Sequence, residues 1–299
     1  MNDQAASTGL LRAMPWVFVV IWSTGFIVAR YGMPYGPPMT FLVWRYVLSI
    51  VCFLVWIVLA RVTWPVRPVQ WLHLAVSGVL MHAGYLGGVW AAVKAGMGAG
   101  LVSLMVGLQP VLTALWLSSR GGQVSARQWG GLWLGLAGLV LVVWRKFGPA
   151  GEAQLLNMGL ATLALLSITT GTLYQKHFVT ACDVRSANAI QLTAALVVTL
   201  PLAMLETEPM AWLLGSAWNW ELVLALAWSV LGLTLGGSSL LYLLIQRGAA
   251  TSVTSLLYLV PPTTALMAWL LFGESITLYT LFGTALTALG VSLVVRPAR

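Results

Sequence analysis

The sequence predicts an all-α integral membrane protein with ten transmembrane helices, arranged as two inverted five-helix repeats with both termini in the cytoplasm. Three observations carry this expectation. Of 299 residues, 60% are hydrophobic and 7% are charged, against about 25% charged in a soluble domain, so too few charges exist to build a water-facing surface. Apolar runs of about 20 residues, enough to cross a bilayer as a helix, recur along the whole chain. The later runs also repeat the earlier ones with prolines and glycines in register. A transmembrane barrel would alternate apolar and polar residues, and stretches such as Leu132 to Val143 do not.

The spans are expected at 14–31, 39–60, 70–93, 98–119, 127–144, 156–177, 186–205, 220–246, 249–271 and 277–295. The first is read as a span and not a cleaved signal, because the apolar run from Met14 continues to Ala29 with no small-residue cleavage site after it. Breakers then punctuate the chain: Gly32, Pro34, Gly36, Pro37 and Pro38 after span 1, Pro65 and Pro68 after span 2, Gly148 and Pro149 after span 5. Most connections are too short to fold alone, so no soluble domain is expected.

The formal charge of +8 sits at span ends and in loops, which points to membrane orientation and lipid contact and away from nucleic acid. With the N-terminus inside, Arg12, Arg61, Arg67, Arg120, Arg127, Lys176, Arg185, Arg247, Arg296 and Arg299 face the cytoplasm, whereas only Arg30, Lys94, Arg145 and Lys146 lie outside. Of the acids, Glu152, Glu206, Glu208, Glu221 and Glu274 fall outside and Asp3 and Asp183 inside. Compact loops and the lack of a targeting segment favour a bacterial inner membrane. Cys52 and Cys182 have neither the number nor the spacing of a disulfide framework or a metal site; no metal and no cofactor is expected.

Residues 98–144 match residues 249–296. At an offset of 151, Ala99, Leu108, Pro110, Thr113, Ala114 and Gly122 align with Ala250, Leu259, Pro261, Thr264, Ala265 and Gly273. After one inserted residue, Gly131, Leu134, Gly138, Leu141, Val142 and Val143 align with Gly283, Leu286, Gly290, Leu293, Val294 and Val295. A fainter match sets Thr24 and Gly25 against Thr170 and Gly171, and Arg45 against Gln191. The chain thus divides into halves 1–147 and 148–299. An odd number of spans per half makes the halves inverted, and transporters built so place substrate near the midplane between the repeats.

Polar and aromatic groups at mid-span are the candidates for such a site, because an isolated polar group facing lipid is costly. They are Trp22 and Thr24 in span 1; His82, Tyr85 and Trp90 in span 3; Ser103 and Gln109 in span 4; Ser238 and Tyr242 in span 8; and Ser255 and Tyr258 in span 9. His82 reads equally as a substrate partner or as a histidine satisfied in packing. The Gly236-Gly237-Ser238-Ser239 run reads first as a close helix contact and second as a cavity wall. Pro110 and Pro261 free backbone carbonyls within the bilayer and are hinge candidates. Arg45, roughly six residues or ~9 Å from the outer end of span 2, reads first as snorkelling outward and second as binding a substrate carboxylate.

No Asp or Glu lies at mid-span, which favours facilitated movement down the substrate's own gradient over ion coupling. Trp64, Trp71, Trp144, Trp218 and Trp220 lie near span ends and suit an interfacial belt, so only the mid-membrane aromatics bear on substrate. These with a few hydroxyls suit a small amphipathic solute. An enzyme is not expected: there are no catalytic residues to name, since His73, His82 and His177 are dispersed, without a partnered Cys or metalloprotease spacing.

The stretch Trp22-Ser23-Thr24-Gly25-Phe26, Pro37 or Pro38 followed by Arg45, Pro110, and Pro261-Pro262 followed by Gly273-Glu274 resemble the drug/metabolite transporter superfamily, and more narrowly its EamA-type ten-span exporters. Gln123 stands where the repeat would place the counterpart of Glu274, a departure from the pattern. Within that family the tryptophan-rich sequence looks most like bacterial aromatic amino acid exporters. The resemblance implies export of aromatic and other neutral bulky amino acids, with other small metabolites or drugs, proton-coupled or not, as the alternative. The expected working unit is a monomer.

Overall fold

A computed structural model describes residues 2–120, 125–146, 153–207, 219–246 and 259–295, with side chains described from Val17 onward. Among these residues eight helices are long and apolar enough to cross a membrane. Two shorter apolar helices, Val260–Phe272 and Leu278–Leu293, stand where spans 9 and 10 are expected. The first part of span 9, with Ser255 and Tyr258, lies outside the described residues, as do Gln123 and Arg247.

Helix α1 (Asn2–Gly32) continues into a 3-10 turn at Met33–Tyr35. Helix α2 (Pro38–Leu59) starts where Pro37 is extended, with proline in its first turn where no backbone donor is missed. Span 3 is α3 (Pro68–Gly78), a π-helical turn at Val79–Gly84 and α4 (Tyr85–Lys94). Span 4 is broken: α5 (Ala99–Val106) ends at Gly107, and α6 (Gln109–Ser119) resumes with Pro110 as its second residue. The proline thus opens a new helix after a turn, where it lacks no bond, and does not kink a continuous one.

Then come α7 (Ala126–Lys146), α8 (Leu155–Phe178) and α9 (Val184–Met204). Span 8 is α10 (Trp220–Trp228), a second π-helical stretch at Ser229–Ser238, and α11 (Ser239–Gln246). Helix α12 (Val260–Phe272) carries Pro261 in its first turn and closes on Gly273 at φ 65. That left-handed turn, open to glycine at little cost, brings Glu274 back toward span 4. Helix α13 (Leu278–Val295) ends the described chain.

Spans 2 and 7, 4 and 9, and 5 and 10 pack directly on one another. Span 3 lies against 6 and 7, span 1 against 8 and 9, span 8 against 2, and span 4 against 6. Spans 5 and 10 approach through glycines: a Cβ on Gly138 would strike the Gly283 carbonyl, and one on Gly290 the Gly131 carbonyl. Thr287 Oγ1, in that seam, donates to Gly283 O at 2.9 Å. Span 3 meets span 7 equally closely, since a Cβ on Gly78 would overlap the Gln191 backbone.

Two carboxylates close the ends of spans 2 and 4. Glu206 Oε1 accepts from Met39 N at 2.8 Å, and its Oε2 from Thr40 N and Thr40 Oγ1, both at 2.8 Å. Glu274 accepts from Ala99 N at 2.9 Å and Gly100 N at 3.3 Å, with Arg30 Nε 3.8 Å away. Each satisfies first-turn donors that a helix leaves unpaired and places negative charge at the positive end of the dipole.

Candidate functional site: a cavity between six spans

Residues of spans 1, 2, 3, 6, 7 and 8 line a partly open cavity of about 50 Å3, and such concave, mostly apolar spaces with a few polar groups are where small molecules bind. One wall is aromatic. Trp22 of α1 stacks on Tyr85 of α4 with ring centres 6.2 Å apart and planes 5° from parallel. Phe18 tilts against Trp22 at 5.1 Å, and Trp90 stacks on Phe41 at 4.3 Å. These contacts hold the rings in place, so the faces presented to the cavity are pre-set.

The other wall is polar. Gln191 of α9 donates through Nε2 to Ser77 Oγ at 2.9 Å and to Gln175 Oε1 at 3.0 Å, linking spans 3, 6 and 7. Asn188 borders the cavity too, with its Nδ2 donating to Val184 O at 2.8 Å. Arg45 of α2 corrects an expectation: it does not snorkel to the outer surface. It is 4% exposed and borders the cavity, and its Nε donates to Thr234 Oγ1 at 3.0 Å. Thr234 in turn donates to Ser229 O at 2.8 Å.

Both π-helical stretches edge this space: Met81 and His82 in the first, Leu233 and Ser238 in the second. A π turn inserts an extra residue and re-aims the side chains beyond it, and such turns recur at functional sites. Here the first sets His82 and Tyr85 on the cavity. Tyr46 OH donates to His82 O at 2.9 Å, and the Tyr46 and His82 rings meet edge-on at 6.3 Å.

Of the predicted binding residues, Trp22, His82, Tyr85, Trp90, Ser238 and Tyr242 line the cavity together. Thr24, Ser103 and Gln109 do not. Thr24 Oγ1 donates to Ile21 O at 2.6 Å and accepts from Trp228 Nε1 at 2.9 Å, tying span 1 to span 8. Ser103 Oγ donates to Gly100 O within its own helix at 2.8 Å. Gln109 Nε2 donates to Thr172 Oγ1 at 3.0 Å, joining spans 4 and 6. Ser255 and Tyr258 lie outside the described residues. Pro261 packs against Gly107, where a Cβ would come within 2.7 Å of its ring, so the break in span 4 and the start of α12 are in contact.

The sequence reading ranked a substrate-binding Arg45 second and missed Gln175, Asn188 and Gln191 as cavity residues. The one signal available was the faint repeat match of Arg45 with Gln191, which the structure places on the same cavity. At one end of the cavity Tyr242 OH lies 3.1 Å from Cys182 Sγ in the loop between spans 6 and 7, where burial pushes the thiol pKa up. Asp183 beside it caps α9, accepting from Arg185 N at 2.9 Å, and its carboxyl is held below the usual range by the Arg185 side chain. Among the described residues no group of three or more His, Cys, Asp or Glu gathers as metal ligands.

A bundle of apolar helices long enough to cross a membrane, with a cavity lined by aromatic and polar side chains, is the architecture of a multi-pass membrane protein. The EamA-like transporter family matches residues 13–144 and again residues 155–296, and the chain belongs to that family. It is similar to an uncharacterized transporter from Archaeoglobus fulgidus, 24% identical over 316 residues, covering 96% of this chain and 97% of the relative. A crystal structure at 18% identity shares the fold with a TM-score of 0.66, over 94% of this chain and 95% of the other. The protein is a multi-pass membrane transporter and not an enzyme.

Proposed function

We propose that the chain exports aromatic and other neutral bulky amino acids from the cytoplasm by alternating access through the central cavity, without ion coupling. The observation that carries this reading is the cavity itself, whose lining combines the stacked Trp22–Tyr85 pair with amide and guanidinium groups. An amphipathic solute with an aromatic end and a polar end fits both walls. Among the described residues Asp183, Glu206, Glu221 and Glu274 all lie at helix ends or in connections, so the spans offer no carboxylate to carry a coupling proton or sodium ion. Arg45 disfavours lipophilic cations, which would need an acid in its place.

Two inverted repeats, 1–147 and 148–299, supply the machinery for alternation. The packing supports them. Exchanging span n with span n+5 turns 3 against 6 into 8 against 1, 3 against 7 into 8 against 2, and 1 against 9 into 6 against 4, and each pair is in contact. The glycine seam obeys the same exchange, since Gly131 aligns with Gly283 and Gly138 with Gly290, and both crossed contacts are present. The two separate family matches, one to each half, also support it. An even count of ten spans puts both termini on one side of the membrane, the Lys and Arg distribution favours the cytoplasmic side of a bacterial inner membrane, and one chain holds the whole cavity, so a monomer suffices.

The test is counterflow of labelled tryptophan, phenylalanine and alanine in proteoliposomes, with and without a proton gradient, for the wild type and His82→Ala. Saturable movement that ignores the gradient is expected. Movement no faster than in empty vesicles would remove the amino-acid assignment.

A further inference from the structure

Arg45 is a charged side chain, 4% exposed, bordering a cavity inside the span region. Among the described residues its single hydrogen bond is the one from Nε to Thr234, and no ion pair reaches it. The described acids are engaged elsewhere or sit at helix ends: Glu206 on the start of α2, Glu274 on the start of α5 beside Arg30, Asp183 on Arg185, and Glu221 in the first turn of α10. A buried guanidinium without a counter-charge is costly. It persists where something supplies the anion, and the cavity it borders is where a solute would bring one.

The geometry is selective. Thr234 sits within the second π-helical stretch, fixed by its own bond to Ser229 O, and it holds the Nε edge of the guanidinium. The two terminal nitrogens are left to form the parallel pair of bonds that a planar carboxylate accepts. One guanidinium supplies one positive charge, which matches a monovalent carboxylate better than a doubly charged phosphate. Trp22 and Tyr85 line the same cavity. No acid among the described cavity residues would receive an ammonium group.

We infer that the cavity recognises its solute by a carboxylate held on Arg45, with Thr234 as the positioning residue, and that an amino group on the solute is dispensable. This rests on the cavity's being the transport site, and it widens the substrate class from amino acids to aromatic carboxylates in general.

Binding to the purified full-length protein tests it, with phenylalanine, 3-phenylpropionate, phenylalaninamide, 3-phenylpropionamide and phenyl phosphate as probes in a calorimetric titration. Each acid is expected to bind at least about tenfold more tightly than its amide, the loss of one charge-assisted pair, and 3-phenylpropionate is expected to bind about as well as phenylalanine. Arg45→Gln should erase the acid-over-amide difference while leaving amide binding in place, and Arg45→Lys should keep part of it. Should Arg45→Gln fail to fold, the wild-type comparison still decides, and Thr234→Val should narrow the difference without removing the charge. Binding of 3-phenylpropionate without phenylalanine would sink the amino-acid reading and leave this inference standing. Amides that bind as tightly as acids, no acid binding at all, or phenyl phosphate binding most tightly would each overturn it.

Discussion

Glu206 joins the end of span 7 to the start of span 2, and its removal gives the most quantitative test of how the outer ends of the helices are held. The carboxylate accepts two backbone donors and one hydroxyl, all at 2.8 Å. A hydrogen bond to a charged group contributes about 1.5–3 kcal/mol. Helix first-turn donors near the surface recover part of that from water, so the three contacts do not add in full. Glu206→Ala is expected to cost about 2 kcal/mol, and Glu206→Gln, which keeps one acceptor oxygen and loses the charge at the dipole, about 1 kcal/mol. Thr40→Val removes only the hydroxyl, and its effect should vanish in the Glu206→Ala background. Equilibrium unfolding in mixed detergent micelles measures the wild type and all four variants. A Glu206→Ala protein within about 0.5 kcal/mol of wild type, or additivity with Thr40→Val to within the ~0.3–0.5 kcal/mol expected of independent sites, would refute the reasoning.

Gly290→Leu should force spans 5 and 10 apart, because its Cβ already meets the Gly131 carbonyl; a loss of at least ~1–3 kcal/mol is expected, read by the same unfolding assay, and unchanged stability would contradict the seam. Trp22→Ala removes the ring stacked on Tyr85 and should weaken tryptophan and phenylalanine by about 3–10-fold while changing alanine little, as competition in counterflow would show. Gln191→Leu strands Gln175 Oε1 and removes the donor to Ser77 Oγ, which keeps its bond to Leu74 O, and should destabilise by about 1–3 kcal/mol while reducing transport. The Asp183 carboxyl is held below its ordinary 3.8 in the folded state, so its contribution is present above about pH 4 and is lost as pH falls through the folded value; Asp183→Ala, which also loses the cap on α9, should cost about 1 kcal/mol at pH 7 and less at pH 3.

The helical segments were legible because their signal is long and redundant: twenty apolar residues bounded by proline and glycine leave little choice of structure. The break in span 4 followed from Pro110, although the chain turns at Gly107 to accommodate it and restarts. The cavity was legible in its aromatic half. Trp22, Tyr85 and Trp90 are large aromatic side chains at mid-span, where interfacial placement is not open to them. Its polar half was not. Thr24 and Ser103 show why, since a hydroxyl in a helix can donate to its own preceding turn and needs no cavity. Arg45 failed in the opposite sense: counted from the helix end it could reach the surface, and only the packing of span 2 on the π-helical stretch of span 8 turns it inward to Thr234. Those π turns have no sequence signature to read, yet they set the direction of His82 and Ser238.

The central claim is that this cavity is the transport path, and labelling of Ser238→Cys tests it most directly. Ser238 borders the cavity, and the native thiols Cys52 and Cys182 are first replaced by serine. A membrane-impermeant thiol reagent should block counterflow of labelled phenylalanine, and excess unlabelled phenylalanine should protect against the block. Full labelling of Ser238→Cys with transport unimpaired would contradict the account.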